Sequence, residues 1–494
     1  MRMSNARNYT RMAKGGNDMT SKTNPVIAAT VTALLMATAA WAEPVVIRVV
    51  SKDMVTANPE DVAHIERIEA AMAAQGTEID IQIVDMPASG YADALGVMLL
   101  SGDIPDLIYF QGGDASMVDQ GILEDWRPFI ESSPNLKAAL YPHNVARLEQ
   151  YPYLLYPFPP RASLPVIRTS WLDALGTGVP ETVDDYLNLF RAIRDGDLDG
   201  NGAADTWAVT LAGATGVGGN DELDNIFNRA FGVTGTWMPD ADGAWISARV
   251  SAEERAKLAF YRQLFEEGLL DPEYITTQWD IREDKFYTGR TGIIFGVAGE
   301  VMDIYGGKLR QVEPEAQLTV LPAPVGADGQ GGMRAIDVSK ESRGFAMSVL
   351  SENKETVAAL MDFLATPEGQ MMDRMGFEGT HYAVSGDTVT VTDAISTWYA
   401  RFMVASNWVA PVEWRSPAAI ASLAMVDEGF VADNAFVIPA ELAADLDAAN
   451  NVQKAWAFRF ISGEASLDDD WDDYVAEWMA AGGANLTDYA RSVL

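Results

Sequence analysis

Leu107-Ile-Tyr-Phe-Gln-Gly-Gly-Asp114 runs four apolar residues directly into a glutamine, two glycines and an acid. Pro105 stands just ahead of it. An apolar run this short, bounded by proline and glycine, reads as a strand buried on both faces, with the glycines turning the chain at its carboxyl end. Working back from it, Tyr91 to Leu100 is helix-like, and Ile79, Ile81 and Ile83 alternate as a strand. Val62, Ile65, Ile68 and Met72 recur at helical period, and Val45 to Val50 reads as another buried strand. The order βαβαβ predicts an α/β fold with a parallel sheet covered by helices. Ligands of such open sheets sit at the carboxyl ends of the strands, so Gln111, Gly113 and Asp114 are candidate ligand contacts.

Forward from the same stretch, the proline- and aromatic-rich segment Tyr151 to Pro160 suits an extended crossover. A second α/β region follows. Thr182 and Asp185 form a capping box ahead of Val183, Tyr186, Leu187 and Phe190; Ser251 and Glu254 do the same for a helix that stops at Gly268. Pro322, Pro324 and the glycine-rich run 329–332 mark another crossing. A strand near Phe345 to Val349 and a helix carrying Val357, Leu360, Met361 and Leu364 come next.

The chain has 494 residues, 48% of them hydrophobic, no cysteine and a formal net charge of −36. It is long enough for two lobes, and a surface this acidic repels nucleic acid and anionic headgroups. Arg2, Arg7, Arg11, Lys14 and Lys22 precede an uncharged apolar run from Val26 to Trp41 that ends in Ala40-Trp41-Ala42. Residues 1–42 therefore read as a cleavable signal peptide, with the mature chain starting at Glu43 and Met19 as an alternative start. With no cysteine to carry a lipid anchor, the expected location is the periplasm, in soluble form.

Several fragments share a pattern with a known family: Leu100-Ser-Gly-Asp-Ile-Pro-Asp-Leu107, Gly121-Ile-Leu-Glu-Asp125, Arg168-Thr-Ser-Trp-Leu-Asp-Ala-Leu-Gly176 and Val179-Pro-Glu-Thr182. Glu267-Gly-Leu-Leu-Asp-Pro-Glu273, Phe286-Tyr-Thr-Gly289 and Gly376-Phe-Glu-Gly-Thr-His-Tyr382 continue it. In order from about Val45 to Tyr382, the chain resembles the family 1 extracellular solute-binding proteins of ABC importers, within them the branch of alginate-oligosaccharide-binding proteins and related lipoproteins. The resemblance implies a two-lobed periplasmic-binding-protein fold of type II, each lobe a parallel or mixed sheet flanked by helices, with a hinge of several crossings. Expected limits are 43–160 plus 328–380 for the first lobe and 161–327 plus 381–494 for the second, with a third crossing near Thr380 to Val384. The implied function is capture of a carbohydrate, most naturally an oligosaccharide, by a monomer that delivers it to a membrane permease.

Asp197-Leu-Asp199-Gly-Asn201-Gly-Ala203-Ala-Asp205 has the oxygen spacing of an EF-hand-type calcium loop, with Gly202 at the sharp turn and the Ala203 carbonyl at the seventh place. The glutamate of a true EF-hand at position 12 is replaced by Ala208. In the resembled branch a Glu follows the last Asp; here Thr206 holds that place. The expected ligands of a structural calcium ion are Asp197, Asp199, Asn201, Ala203, Asp205 and Thr206.

Pyranose rings stack their C–H faces on aromatic rings, and the chain has 13 tryptophans. Trp471, Tyr474, Val475 and Trp478 lie at helical spacing and read as core, as do Trp126 and Trp171. Trp237, Trp279, Trp408 and Trp414 lie in loops with polar neighbours and are ligand candidates; Trp279 and Trp414 stand at distances from the calcium loop that resemble those of sugar-stacking tryptophans in the alginate-binding relatives. Arg415, Glu300, Glu378 and Tyr382 complete the set. The histidines are far apart, and no phosphate loop, nucleophile elbow or catalytic cysteine is present, so the chain reads as a binder and not an enzyme. A secreted polysaccharide-degrading enzyme would share the leader, the tryptophans and the calcium loop; a binder of peptides or another non-sugar solute would share the fold.

Overall fold

A computed structural model describes residues 43–494 except 53, 88–89, 156, 158–161, 215–217, 335–342, 403–407, 432 and 435–437. The expected signal peptide, 1–42, lies outside the described residues. Strands Val45–Val50, Ile79–Ile83 and Leu107–Gln111 run parallel, with Val45 paired to Ile79 and Val49 to Leu107. Strand Arg343–Met347 adds to them antiparallel, Phe345 opposite Tyr109, so the order across the sheet is 343–347, 107–111, 45–50, 79–83. All of Leu107 to Phe110 is buried, as the unbroken apolar run requires of a strand covered on both sides.

The second sheet is mixed. Its order is Trp207–Val209, Thr291–Val297, Ser163–Arg168, Leu318–Val320, with the first pair parallel and the others antiparallel. Each sheet has its own core. Ile47, Ile68, Leu107, Phe345 and Leu360 gather about the first. Ile167, Phe190, Val209, Tyr261, Ile293 and Phe460 gather about the second. Both capping boxes predicted for the second region form their caps: Thr182 accepts from the Asp185 backbone N–H, and Ser251 from that of Glu254.

The third crossing differs from expectation. Residues 398–402 pack on the first sheet's core, while the 3-10 turn Asp393–Thr397 approaches helix Glu300–Arg310 of the second half. Trp398 donates its indole N–H to the Asp373 carbonyl at 2.8 Å and meets the His64 ring edge-on. Arg401 pairs with Asp61, and Phe402 stacks on Phe345. Met333, by contrast, packs with Val166 and Ala419 beside the second sheet. Helix Pro417–Gly429 packs with the second half. Helix Ala443–Ser462 and helix Trp471–Trp478 then close the second core, with Trp471, Tyr474 and Trp478 buried as read from their spacing.

Candidate functional site

The parallel strands of the first sheet all end on the same side. There Leu107–Gln111 passes through Gly112 (φ 109°) and Gly113 (φ 83°) into the short helix Asp114–Asp119. Only glycine takes such dihedrals without strain, and these two turn Asp114 back beneath the strand end. The Tyr151 hydroxyl donates to Asp114 Oδ2 at 2.6 Å, while Oδ1 is buried with no hydrogen-bond partner. Burial and the Asp114 carboxylate push the Tyr151 phenol well above its usual range, so it stays a donor. A buried carboxylate oxygen left unpaired is a natural acceptor for an incoming hydroxyl. Helix Asp114–Asp119 packs near Ala440–Leu442 of the second half, so the strand end faces the other lobe.

In the second half, strand Trp207–Val209 leads into the loop at Gly213, whose N–H donates to Tyr274 O, and Ala214 N–H donates to Thr277 O. This brings the loop after the strand to the start of helix Trp279–Tyr287. Trp279, the first residue of that helix, is 56% exposed, an unusual state for an indole. Glu300, also exposed, opens helix Glu300–Arg310 directly after strand Thr291–Val297. That helix packs on helix Pro417–Gly429, and Asp303 Oδ1 accepts the Ser416 N–H at 2.9 Å, which anchors Trp414 and Arg415 to the same edge.

Two of the expected tryptophans each lie beside a guanidinium, one of them from a residue not expected at the site. The guanidinium of Arg374, in the last turn of helix Pro367–Met375, lies 5.6 Å from the Trp408 ring centre; that of Arg415 lies 5.4 Å from the Trp414 ring. Arg374 belongs to the first half, Arg415 and Glu300 to the second. Nothing in the polar, amphipathic stretch around Arg374 marks it; only the third dimension does.

Two of the expected ligand contacts, Trp237 and Tyr382, are buried. Trp237 is 5% exposed in the second core, with its backbone held by Asn434 Oδ1 and Nδ2, so its ring packs and cannot stack a solute. Tyr382 is 7% exposed, paired with Val391 in a small hairpin, and Glu378 is exposed on the turn closed by the Gly379 N–H to Tyr382 carbonyl bond.

The acidic loop 197–205 is exposed and folds about Asn201. The Asn201 amide donates to Asp199 Oδ2 at 2.9 Å and Asp205 Oδ1 at 3.0 Å, and Gly202 N–H donates to Asp197 Oδ2 at 3.1 Å. The oxygens suit a hard cation in type and order. In this arrangement the amide nitrogen takes the central place, and among the described residues no three His, Cys, Asp or Glu side chains converge as metal ligands. Thr206, also expected as a ligand, is buried, and its hydroxyl donates to the Gly289 carbonyl at 3.0 Å.

Two sheets, each with its own core, define a two-lobed α/β protein. The chain belongs to the bacterial extracellular solute-binding protein family, whose model matches residues 63–371. Lipoprotein LipO of Bacillus subtilis (strain 168) is 23% identical over 321 residues, 63% of either chain. The fructooligosaccharide ABC transporter substrate-binding protein FusA of Streptococcus pneumoniae is 28% identical over 232 residues, 42% of either chain. The match thus spans less than two thirds of the length of both relatives. Among solved structures, alginate-binding protein AlgQ2 without calcium ion superposes with a TM-score of 0.66 at 17% identity, over 91% of this chain and 98% of that one. An EF-hand mutant of FusA in complex with fructo-nystose gives 0.63 at 17%, with the same coverage. At such identities the likeness is one of fold.

Proposed function

We propose that the chain is the substrate-binding subunit of an ABC importer, that it captures an oligosaccharide between its two lobes outside the cytoplasmic membrane, and that it hands the sugar to a membrane permease. The observation that carries the reading is the two-lobed solute-binding fold with Asp114 and Tyr151 paired at the strand ends of the first half and Trp279 56% exposed at the head of a helix in the second. Sugar rings need apolar faces to stack on and fixed polar groups for their hydroxyls, and the exposed Trp279 indole and the Asp114 carboxylate offer one of each. Ligand contacts to both lobes favour the closed state, so closure and binding are one equilibrium. The named relatives, one a fructooligosaccharide-binding and one an alginate-binding protein, support the sugar class.

No hydrolytic step is assigned; the relatives are binding proteins. Residues 1–42 act as an export signal. A calcium ion in the acidic loop, held by Asp197, Asp199, Asn201, Asp205 and the Ala203 carbonyl after rotation of the Asn201 amide, serves to brace the second lobe; the EF-hand of FusA supports this. The test is a calorimetric screen against oligosaccharides with chromatography of the same mixtures. Saturable binding with unchanged sugars is expected; cleaved products overturn the reading.

A further inference from the structure

We infer that the second lobe cross-links itself: the Lys257 amine attacks the side-chain amide of Asn228, ammonia leaves, and an isopeptide bond joins the two residues, with Glu254 taking up the proton. The inference concerns the interior of one lobe and does not depend on the sugar-binding reading.

Lys257 lies within helix Ala252–Glu266, and Asn228 caps the end of helix Asp221–Phe227. Lys257 Nζ is 2.6 Å from Asn228 Oδ1, 2.8 Å from Glu254 Oε2 and 2.7 Å from Asp224 Oδ1. All four side chains are buried, none more than 5% exposed. The Tyr261 ring, centred 5.7 Å from Nζ and packed on Phe227, closes the site on one side. Glu254 Oε1 is buried with no hydrogen-bond partner. Lys285, the other buried lysine among the described residues, meets Asp271, Glu273 and the Thr277 hydroxyl instead. Ionised carboxylates are poor targets for an amine, so that site stays an ion pair. Of the two lysines, Lys257 faces an amide.

In water an amine is protonated at neutral pH and an amide is a poor electrophile, so the reaction needs a site that neutralises the one and holds it against the other. Here the Lys257 ammonium passes a proton to the Glu254 carboxylate, which leaves two neutral groups where two charges were buried. Burial raises the Glu254 carboxyl above its ordinary range, which suits it to keep that proton. The free amine adds to Cγ of Asn228, one bond beyond the oxygen it already touches. The new N–C bond forms, the bond from Cγ to Nδ2 breaks, and one further proton moves from the attacking nitrogen to the leaving one. The products are the isopeptide, protonated Glu254 and neutral ammonia, so atoms and charge balance. A cavity of about 270 Å³, lined in part by Asn228, Val233 and Thr234, gives the ammonia a way out. The bond ties two helices across 29 positions of a chain that has no cysteine for a disulfide.

The test is mass spectrometry of the full chain, purified folded, held at neutral pH, then unfolded and digested. The peptides that carry Asn228 and Lys257 should be recovered joined, lighter by one ammonia than their sum. Recovery of both as separate peptides of unaltered mass overturns the inference, and so does an ammonia loss confined to a single peptide. Asn228→Ala and Lys257→Met should each yield no joined peptide. Glu254→Gln keeps the shape of the side chain but cannot take the proton, so it should lower the joined fraction about tenfold or more; an unchanged fraction overturns the role of Glu254. The digest of the unaltered chain decides the bond even where a variant fails to fold. Either result leaves the sugar-binding reading as it stands.

Discussion

Arg401 Nε lies 2.5 Å from Asp61 Oδ1, an ion pair formed across 340 positions of sequence between two side chains that are 1% and 0% exposed. Arg401 also lies over the Trp398 and Tyr399 rings, at 4.3 and 3.8 Å, and donates to the Tyr399 carbonyl. This pair ties the segment 398–402 to the first lobe. Removing one member strands the other charge in the interior, so Asp61→Ala is expected to cost about 3–5 kcal/mol of stability. Replacing both, as Asp61→Leu with Arg401→Met, should recover part of that loss. Urea midpoints of the three chains measure it. Arg255→Ala, which removes the exposed pair with Asp468, should leave the midpoint where it was.

The same pair explains where sequence reading fell short. Strands 45–50, 79–83 and 107–111 were legible because apolar runs and glycine or proline breaks are local signals, and the capping boxes at Thr182 and Ser251 are local too. The attachment of 398–402 to the first lobe is not local: it rests on Asp61, His64 and Asp373, whose polar character gave no hint of burial. Arg374 escaped notice for a related reason, since what singles it out is its place beside the Trp408 ring. Trp237 and Trp279 both read as loop tryptophans with polar neighbours, and only the packing separates them.

That separation yields a paired prediction. Trp279 is 56% exposed, so Trp279→Ala should weaken sugar binding severalfold with little change in melting temperature, the loss being one stacking face. Trp237 is 5% exposed in the second core, so Trp237→Ala should cost about 3–5 kcal/mol by opening a cavity. Any affinity it loses should track the fraction unfolded. Calorimetry and thermal melts on both variants decide it; equal affinity in the unaltered chain and Trp279→Ala would remove Trp279 from the site.

The acidic loop predicts a response to calcium. Filling the loop with a cation stabilises the folded chain by mass action, so excess calcium should raise the melting midpoint and EGTA should lower it. Gly289 packs under the loop at φ 82°, where an added Cβ meets Asp199 Cβ at 2.8 Å. Gly289→Ala should therefore displace Asp199 and shrink the gap between the calcium and EGTA melts. A midpoint indifferent to both additions in the unaltered chain removes the metal from the loop.

The buried histidine sets a pH dependence. His64 is fully buried, with Arg67 Nη2 donating to its Nδ1 at 2.7 Å and Asp373 Oδ1 3.2 Å from Nε2. Arg67 occupies the lone pair that a second proton needs, so the ring is held neutral with its proton on Nε2. Burial is the largest cause of a pKa below the ordinary 6.5, outweighing the pull of Asp373. The unfolded chain therefore takes up this proton before the folded one does. The contribution of His64 is fully present above about pH 6.5 and is lost as pH falls from there toward the folded value, at up to about 1.4 kcal/mol per pH unit. Glu69 and Asp303, whose pKa values are raised by burial, act in the opposite sense in part of that range. The quantity to measure is therefore the difference between the unaltered chain and His64→Gln, which keeps a donor for Asp373 but cannot titrate. Urea unfolding from pH 7.5 to 5 should show the stability gap between the two narrowing as pH falls, and a gap constant over that range would mean that His64 is not held neutral by the fold.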